Sequence, residues 1–229
     1  MEHAPPIVLS LGGSLVAPPT GINTDFLTAF RHLILEELKV GKRFILIVGG
    51  GATARVYMHG AKEVAPLETE DMDWLGIHAT RINAHLLRTI FREHAHPVVC
   101  KNPSRKMNWS KSMLIAAGWK PGWSTDYIAV RLARLYGATE VVNLTNVERV
   151  YDKDPSKHLD AVPFDHIPWH EFRKIVGTKW SPGLNAPFDP VASTFAAKQK
   201  LKVIIAKGTD LMNLKKILDG KSFLGTTIE

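Results

Sequence analysis

The sequence predicts an α/β fold built on a mostly parallel sheet that is buried on both faces. Three observations predict it. Short apolar runs alternate along the chain with amphipathic helical segments. The runs are continuously apolar rather than alternating with polar residues, the pattern of strands covered on both sides. Glycines cluster immediately after several of the runs, where such sheets place their ligand-binding turns.

In order along the chain, "PIVLSL" reads as the first strand, ended by Gly12-Gly13-Ser14. Residues 23–39 form an amphipathic helix, with Asn23 or Thr24 as N-cap before Phe26, Leu27, Phe30, Leu33 and Ile34. "RFILIV" is the second strand, stopped by Gly49-Gly50-Gly51, and a helix follows to residue 64. A long helix spans residues 70–94. "PVVC" and "SMLIAA" read as short strands, and the stretch "GWKPGWSTD" feeds a helix to residue 136. "EVVNL" is the next strand, followed by a turn-rich segment. Helices over 168–176 and 189–200, the strand "KVIIA", a helix over 210–219 and a closing "GTTIE" complete the order.

At 229 residues the chain suffices for one large domain or two small lobes. Its 45% hydrophobic and 22% charged residues are ordinary for a soluble globular protein. The longest apolar runs are too short to span a bilayer. No export signal is visible, and the single Cys100 excludes an internal disulfide framework, so a cytoplasmic location is expected. Two Asn-x-Ser/Thr triplets, at Asn108 and Asn143, carry no meaning in a chain that is not secreted. The net charge of +7 suits an anionic partner. Lysines and arginines are spread without a basic run, which favours an anionic metabolite over nucleic acid.

Three glycine turns at strand ends suggest a site lined by phosphate-binding loops, because such turns and helix N-termini present backbone N–H groups to anions. The P-loop pattern G-x-x-x-x-G-K-[ST] does not occur. "GGGATA" satisfies G-x-G-x-x-A, yet the acids about twenty residues on (Glu68, Glu70, Asp71) enter a helix rather than end a second strand, so the dinucleotide reading loses. Arg55 follows Gly51 by one helical turn and can reach back over the loop to chelate a phosphate. Gly76 sits inside the long helix with Asp73, Thr80, Arg81 and Asn83 among apolar residues, and is expected to permit close approach of a ligand or another chain. Thr145 and Asn146 end a strand ahead of Tyr151, Asp152 and Asp154, a pattern suited to magnesium or ribose hydroxyls. His166 and His170 have no third ligand nearby and read as surface residues, so no protein-borne metal site is expected.

Taken together, "GGS", "VGGGATAR", "DWLGIHATRINAHLL", "GWKPGWSTDYIAV", "LTNVERVYDKDP" and "APFDPVAS" resemble, in order and spacing, the amino acid kinase superfamily, and within it most closely the archaeal-type uridylate kinases. The resemblance runs from Ile7 to Glu229 and rests most specifically on "GIHATRINA" and "PGWSTD". It implies a three-layer α/β/α sandwich forming a single domain, 1–229, with an acceptor-binding lobe over 1–135 and an ATP-binding lobe over 136–229. It further implies transfer of the ATP γ-phosphoryl to UMP, Mg2+ accompanying ATP, and a dimer-based hexamer.

Carried over by position, the resemblance assigns Gly12, Gly13 and Ser14 to the first glycine loop beside the transferring phosphate. Gly51 and Arg55 go to the ATP side, with Thr145, Asn146, Tyr151 and Asp154 around the adenosine. Gly50 and Asp73 go to UMP, Asp73 at its ribose, and Trp119, Lys120, Pro121, Gly122, Trp123, Ser124 and Thr125 form the loop that holds UMP. Bacterial uridylate kinases carry a lysine where this chain has Ser10, and the usual "NVDGVY" turn is here Asn146 to Tyr151 with Glu148-Arg149 in place of Asp-Gly. Trp180 is expected in the core.

Phosphoryl transfer depends on positioning and charge neutralisation, and the acceptor is already an oxyanion, so no catalytic histidine is expected. Asp126 and Arg55 are the expected catalytic residues, Asp126 orienting cationic groups or magnesium-bound water. Lys207 is a candidate for neutralising the γ-phosphoryl. Backbone groups of the bent Gly-Pro-Gly loop are expected to read uracil. The long helix carries more apolar surface than one stripe requires, which predicts a symmetric dimer.

Overall fold

The computed structural model describes residues 4–177 and 186–229. Trp180 therefore lies outside the described residues. Five parallel strands carry the architecture: β1 (Ile7–Leu11), β2 (Phe44–Val48), β3 (Met113–Ala116), β4 (Glu140–Thr145) and, after three short strands, β8 (Lys202–Lys207). The short ones are β5 (Val150–Tyr151), β6 (Pro163–Phe164) and β7 (His166–Ile167), and β9 (Thr226–Ile228) closes the chain. The main sheet runs β3-β2-β1-β4-β8-β9-β7, with β9 antiparallel to β8, while β5 and β6 form a separate antiparallel pair.

Helices cover both faces. α1 (Gly13–Val16), α2 (Thr24–Lys39), α3 (Gly51–Val64) and α4 (Thr69–Ile90) precede β3, and α5 (Thr125–Tyr136) follows it. α6 (Trp169–Val176), α7 (Pro190–Lys198) and α8 (Leu211–Leu218) complete the set. Successive strand residues point to opposite faces, so each strand feeds two cores. Val8, Ile45, Ile47, Leu114, Val141 and Ile205 pack against α5, α6 and α7. Leu9, Leu46, Ile115, Val142 and Ile204 pack against α2, α4 and α8. This is the three-layer sandwich the sequence predicts.

The N-cap of α2 is Asn23, whose side chain accepts from the Phe26 N–H at 3.1 Å. Two expected elements differ. "PVVC" forms no strand. It touches β3 through a single bridge at Cys100, with another at Ala95 just before it, because Pro97 between them has no N–H to donate to a ladder. The long helix ends at Ile90 rather than 94, since Ala95 must already lie alongside Met113. Within the turn-rich segment, the two-residue strands β5 and β6 are too short to leave a periodic signal.

Candidate active site

All five parallel strands end at one edge of the sheet, and a glycine loop follows four of them. The first two loops interlock through their backbones. The Gly12 N–H donates to the Leu144 carbonyl at 2.8 Å, and the Gly49 N–H to the Leu11 carbonyl at 3.0 Å. A Cβ on Gly13 would lie 2.1 Å from the Gly51 nitrogen, and one on Gly51, whose φ is +63°, would lie 2.4 Å from the Gly13 carbonyl oxygen. No side chain fits at either position, which is the physical reason for glycine there.

Beside this junction opens a cavity of about 340 Å3. Gly50 lines it ahead of α3, Gly51, Ala54, Arg55 and Met58 from α3, Asp73, Gly76, Ile77 and Thr80 from α4, and Trp123 to Asp126 from the third loop and the start of α5. Ala186 and Asp189 close it from the α7 side.

One face of α4 fastens the loops around this cavity. The Asn83 amide donates to the Gly49 carbonyl at 2.9 Å and the Gly50 carbonyl at 3.2 Å. The buried Thr80 hydroxyl accepts from the Gly118 N–H at 2.7 Å and donates to the Ile77 carbonyl. Arg81 donates to the Gly118 and Trp119 carbonyls at 3.2 and 3.0 Å. Asp73 accepts from the Gly122 N–H at 2.8 Å. Much of the loop backbone expected to read a base is therefore already paired with α4. Gly76 faces the Met58 side chain of α3 and the cavity, so the close neighbour it permits within the chain is a methionine.

Ser124 is the N-cap of α5, its hydroxyl accepting from the Tyr127 N–H. Asp126, in the first turn of α5, is held by both oxygens: one accepts from the Asp189 N–H at 3.1 Å, the other from the Ser10 hydroxyl at 3.4 Å. Burial, with the neighbouring Asp189 carboxylate, pushes the Asp126 carboxyl up to about 7. Asp189 is raised as well, chiefly by burial, although its side chain caps α7 by accepting from the Ala192 N–H.

A second cavity, of about 640 Å3, lies on the β4 side. Thr145, Asn146, Tyr151 and Asp154 line it together with Arg149, Asp152, Lys153 and Lys174. Ala186 lines both cavities, so they adjoin.

The structure thus collects Gly50, Asp73, Trp123, Ser124, Thr125, Asp126 and Arg55 at the first cavity, and the four expected adenosine-side residues at the second. Gly51 and Arg55 line the first cavity, beside Gly50 and Asp73. Gly12, Gly13 and Ser14 line neither, and Gly12 and Gly13 form the loop junction. Trp119, Lys120, Pro121 and Gly122 form the outer arm of the third loop. Lys207 is held by Glu148, Nζ to carboxylate 3.1 Å. His166 contacts Glu229 and His170 contacts Glu171, both at the surface. Among the described residues, no three His, Cys, Asp or Glu side chains group as a metal site. The sequence reading missed Asp189, inside "APFDPVAS", and the fastening roles of Thr80, Arg81 and Asn83. Their signal was present, as polar side chains set among the apolar residues of the helix.

The amino acid kinase family model matches residues 5–207. A uridylate kinase of Thermoplasma volcanium is 35% identical over 226 residues, spanning 97% of this chain and 97% of its own. The crystal structure of uridylate kinase from Archaeoglobus fulgidus superposes with a TM-score of 0.82 at 30% identity, covering 98% of this chain and 100% of that one. UMP kinase from Bacillus anthracis, at 18% identity and a TM-score of 0.79, shares the fold over 100% of this chain and 97% of its own.

Proposed function

We propose that this chain, which belongs to the amino acid kinase family, transfers the γ-phosphoryl of ATP to UMP, giving UDP and ADP. The carrying observation is the first cavity, walled by the second glycine loop and the third loop, with Arg55 and Asp126 on its lining. End-to-end similarity to proteins named uridylate kinase supports the same reading. UMP occupies this cavity and ATP the adjoining one, so that the two phosphates meet beside the glycine junction. The acceptor lobe is residues 1–135 and the ATP lobe 136–229.

In the reaction a UMP phosphate oxygen forms a bond to the γ-phosphorus while the bond to the β,γ-bridging oxygen breaks, its electrons leaving on ADP. Because the nucleophile is already an anion, the protein has to align the two phosphates and offset charge rather than remove a proton. Arg55, exposed at the cavity and one turn past Gly51, binds the UMP phosphate with a two-pronged contact. Thr145, Asn146, Tyr151 and Asp154 hold the ATP nucleoside. Asp126 orients the cationic groups around the transferring phosphoryl. Magnesium, when bound with ATP, neutralises phosphate charge. Asp126 with Asp189 beside it fits an ion carried chiefly by substrate phosphates, which needs only one or two protein carboxylates.

The enzyme works in the cytoplasm as a homo-oligomer built from dimers. No helix among the described residues is long and apolar enough to cross a membrane.

Turnover of UMP, CMP, AMP and GMP with ATP and Mg2+ tests the assignment. Uracil presents two carbonyl acceptors and one N–H, and cytosine replaces one acceptor with an amino donor. A donor fixed for uracil is then left buried and unpaired, at a cost of about 1–3 kcal/mol. UMP should exceed CMP in kcat/KM by at least about tenfold, with the purines poorer still. Equal rates on CMP and UMP would defeat the uridylate assignment.

A further inference from the structure

We infer that Arg131 is a positioning residue for the acceptor: it fixes the Trp123 wall of the first cavity by clamping an aromatic ladder that runs from the third loop into α7. The inference rests on reading that cavity as the UMP site.

Four aromatic rings follow one another edge to face. Trp119 and Trp123 have centroids 4.7 Å apart, Trp123 and Tyr127 4.5 Å, and Tyr127 and Phe195 5.6 Å, with interplanar angles of 64–89°. Trp119 and Trp123 belong to the loop, Tyr127 to the first turn of α5, and Phe195 to α7. Only Trp123 reaches the cavity lining, so its ring is where the ladder meets a ligand.

The Arg131 guanidinium sits at the meeting point of the last three rings, 5.3 Å from the Trp123 centroid, 5.9 Å from Tyr127 and 5.2 Å from Phe195. Its polar contacts are long ones, 3.5 Å to the Tyr127 and Ser104 hydroxyls. Among the described residues, no carboxylate forms an ion pair with it. An arginine in an ordinary surface role seeks a carboxylate. Here the side chain stands one turn past Tyr127 and its neighbours are ring faces, an arrangement held by attraction between cation and ring quadrupole. Lys120 adds a second cation on the outer arm, 4.7 Å from Trp119 and 5.4 Å from Trp123.

The loop needs such a clamp. Gly118 and Gly122 bound its arm, and Gly122 has a φ of +79° with open space where a side chain would be. Fastening by α4 reaches backbone groups of Gly118, Trp119 and Gly122. The Trp123 side chain has no such tie, and its orientation is set by Tyr127, Trp119 and the two cations. α7 also begins at Asp189, whose N–H holds Asp126. The ladder therefore links the acceptor wall to the helix that braces the expected catalytic carboxylate.

The test compares Arg131→Met, Arg131→Lys, Trp123→Leu and the double variant Arg131→Met/Trp123→Leu. Arg131→Met should raise KM for UMP roughly five- to twentyfold, with kcat and KM for ATP within about twofold of wild type. Arg131→Lys, which keeps a cation, should recover most of the loss. In the Trp123→Leu background, Arg131→Met should add little, because its effect passes through that ring. Equal losses in kcat and in both KM values, or full additivity in the double variant, would overturn the assignment. Acrylamide quenching of tryptophan emission without substrate gives a reading independent of turnover. Quenching should rise in Arg131→Met as Trp123 loosens, and unchanged quenching counts against the clamp. If wild type fails to phosphorylate UMP while quenching still rises, the substrate reading fails and the clamp stands.

Discussion

Arg55 stands one turn into α3, exposed, facing the cavity lined by Asp73 and Trp123. Losing one preorganised donor to a reacting phosphate costs about 2–4 kcal/mol of transition-state stabilisation, so Arg55→Ala should lower kcat/KM by roughly 30- to 1,000-fold. An unchanged kcat/KM in the folded variant removes Arg55 from the site. Asp126 offers a different reading, through stability. Its carboxyl is raised to about 7 from an ordinary 3.8. Between those values the folded state holds a proton that the unfolded chain has released. Stability therefore falls as pH rises across that window, and the penalty is complete above it. Because Asp126 keeps some exposure to the cleft, solvent moderates the effect to about 1–3 kcal/mol. Asp126→Asn should melt higher than wild type at pH 8 and match it near pH 4, while its kcat falls more than its KM for UMP rises. Parallel melting curves at every pH would show that the carboxyl is not perturbed.

At the scale of elements, α4 is the part on which the site depends. Its face carries Asp73, Thr80, Arg81 and Asn83 to the second and third glycine loops at once. Thr80→Val keeps the shape of the side chain but leaves the buried Gly118 N–H without an acceptor, which costs about 1–3 kcal/mol. Chemical denaturation should show that loss, and KM for UMP should rise with it, since Gly118 opens the acceptor loop. A variant as stable as wild type would mean that water replaces the hydroxyl. On the same face of the sheet α2 and α8 are tied by a charge cluster. Glu37 is fully buried, and burial by itself would raise its carboxyl, yet hydrogen bonds from Lys215 and Lys42 together hold it below its ordinary value.

For the whole molecule, strands from the first 135 residues make one half of the main sheet and later strands the other, meeting where β1 pairs with β4. The two cavities lie on either side of that seam. An apolar surface is left over on the α3 and α4 side: Val56, Tyr57 and Val64 are exposed on α3, and Trp74 and Ile82 on α4. Val56, Tyr57, Val64 and Leu75 border a common shallow depression. We propose that a symmetric dimer buries this face. Sedimentation at micromolar concentration should return at least twice 25.4 kDa, and Ile82→Asp should shift the protein toward a single subunit. A wild-type protein that sediments as a clean monomer overturns the dimer.

By itself the sequence determined the elements long enough to carry a period. Strands β1, β2, β4 and β8 are mainly apolar runs that do not alternate, and α2 carries its own N-cap in Asn23. It also determined which loops matter, because a glycine at positive φ or in backbone contact, as at Gly51 and Gly13, is required by local sterics that leave a mark in the residue type itself. Tertiary structure decided the rest. Whether "PVVC" joins the sheet depended on a partner strand and on a proline's missing N–H. Which cavity Arg55 faces depended on how α3 leaves the second glycine loop. Lys207 met Glu148, 59 residues away in the chain. Asp126 has its carboxyl raised first by burial that neither segment has alone, and then by Asp189, 63 residues distant. Local conformation is set by short-range sterics and periodicity, which one stretch of sequence contains. Charge, burial and the pairing of side chains are set by neighbours that only the packed chain supplies.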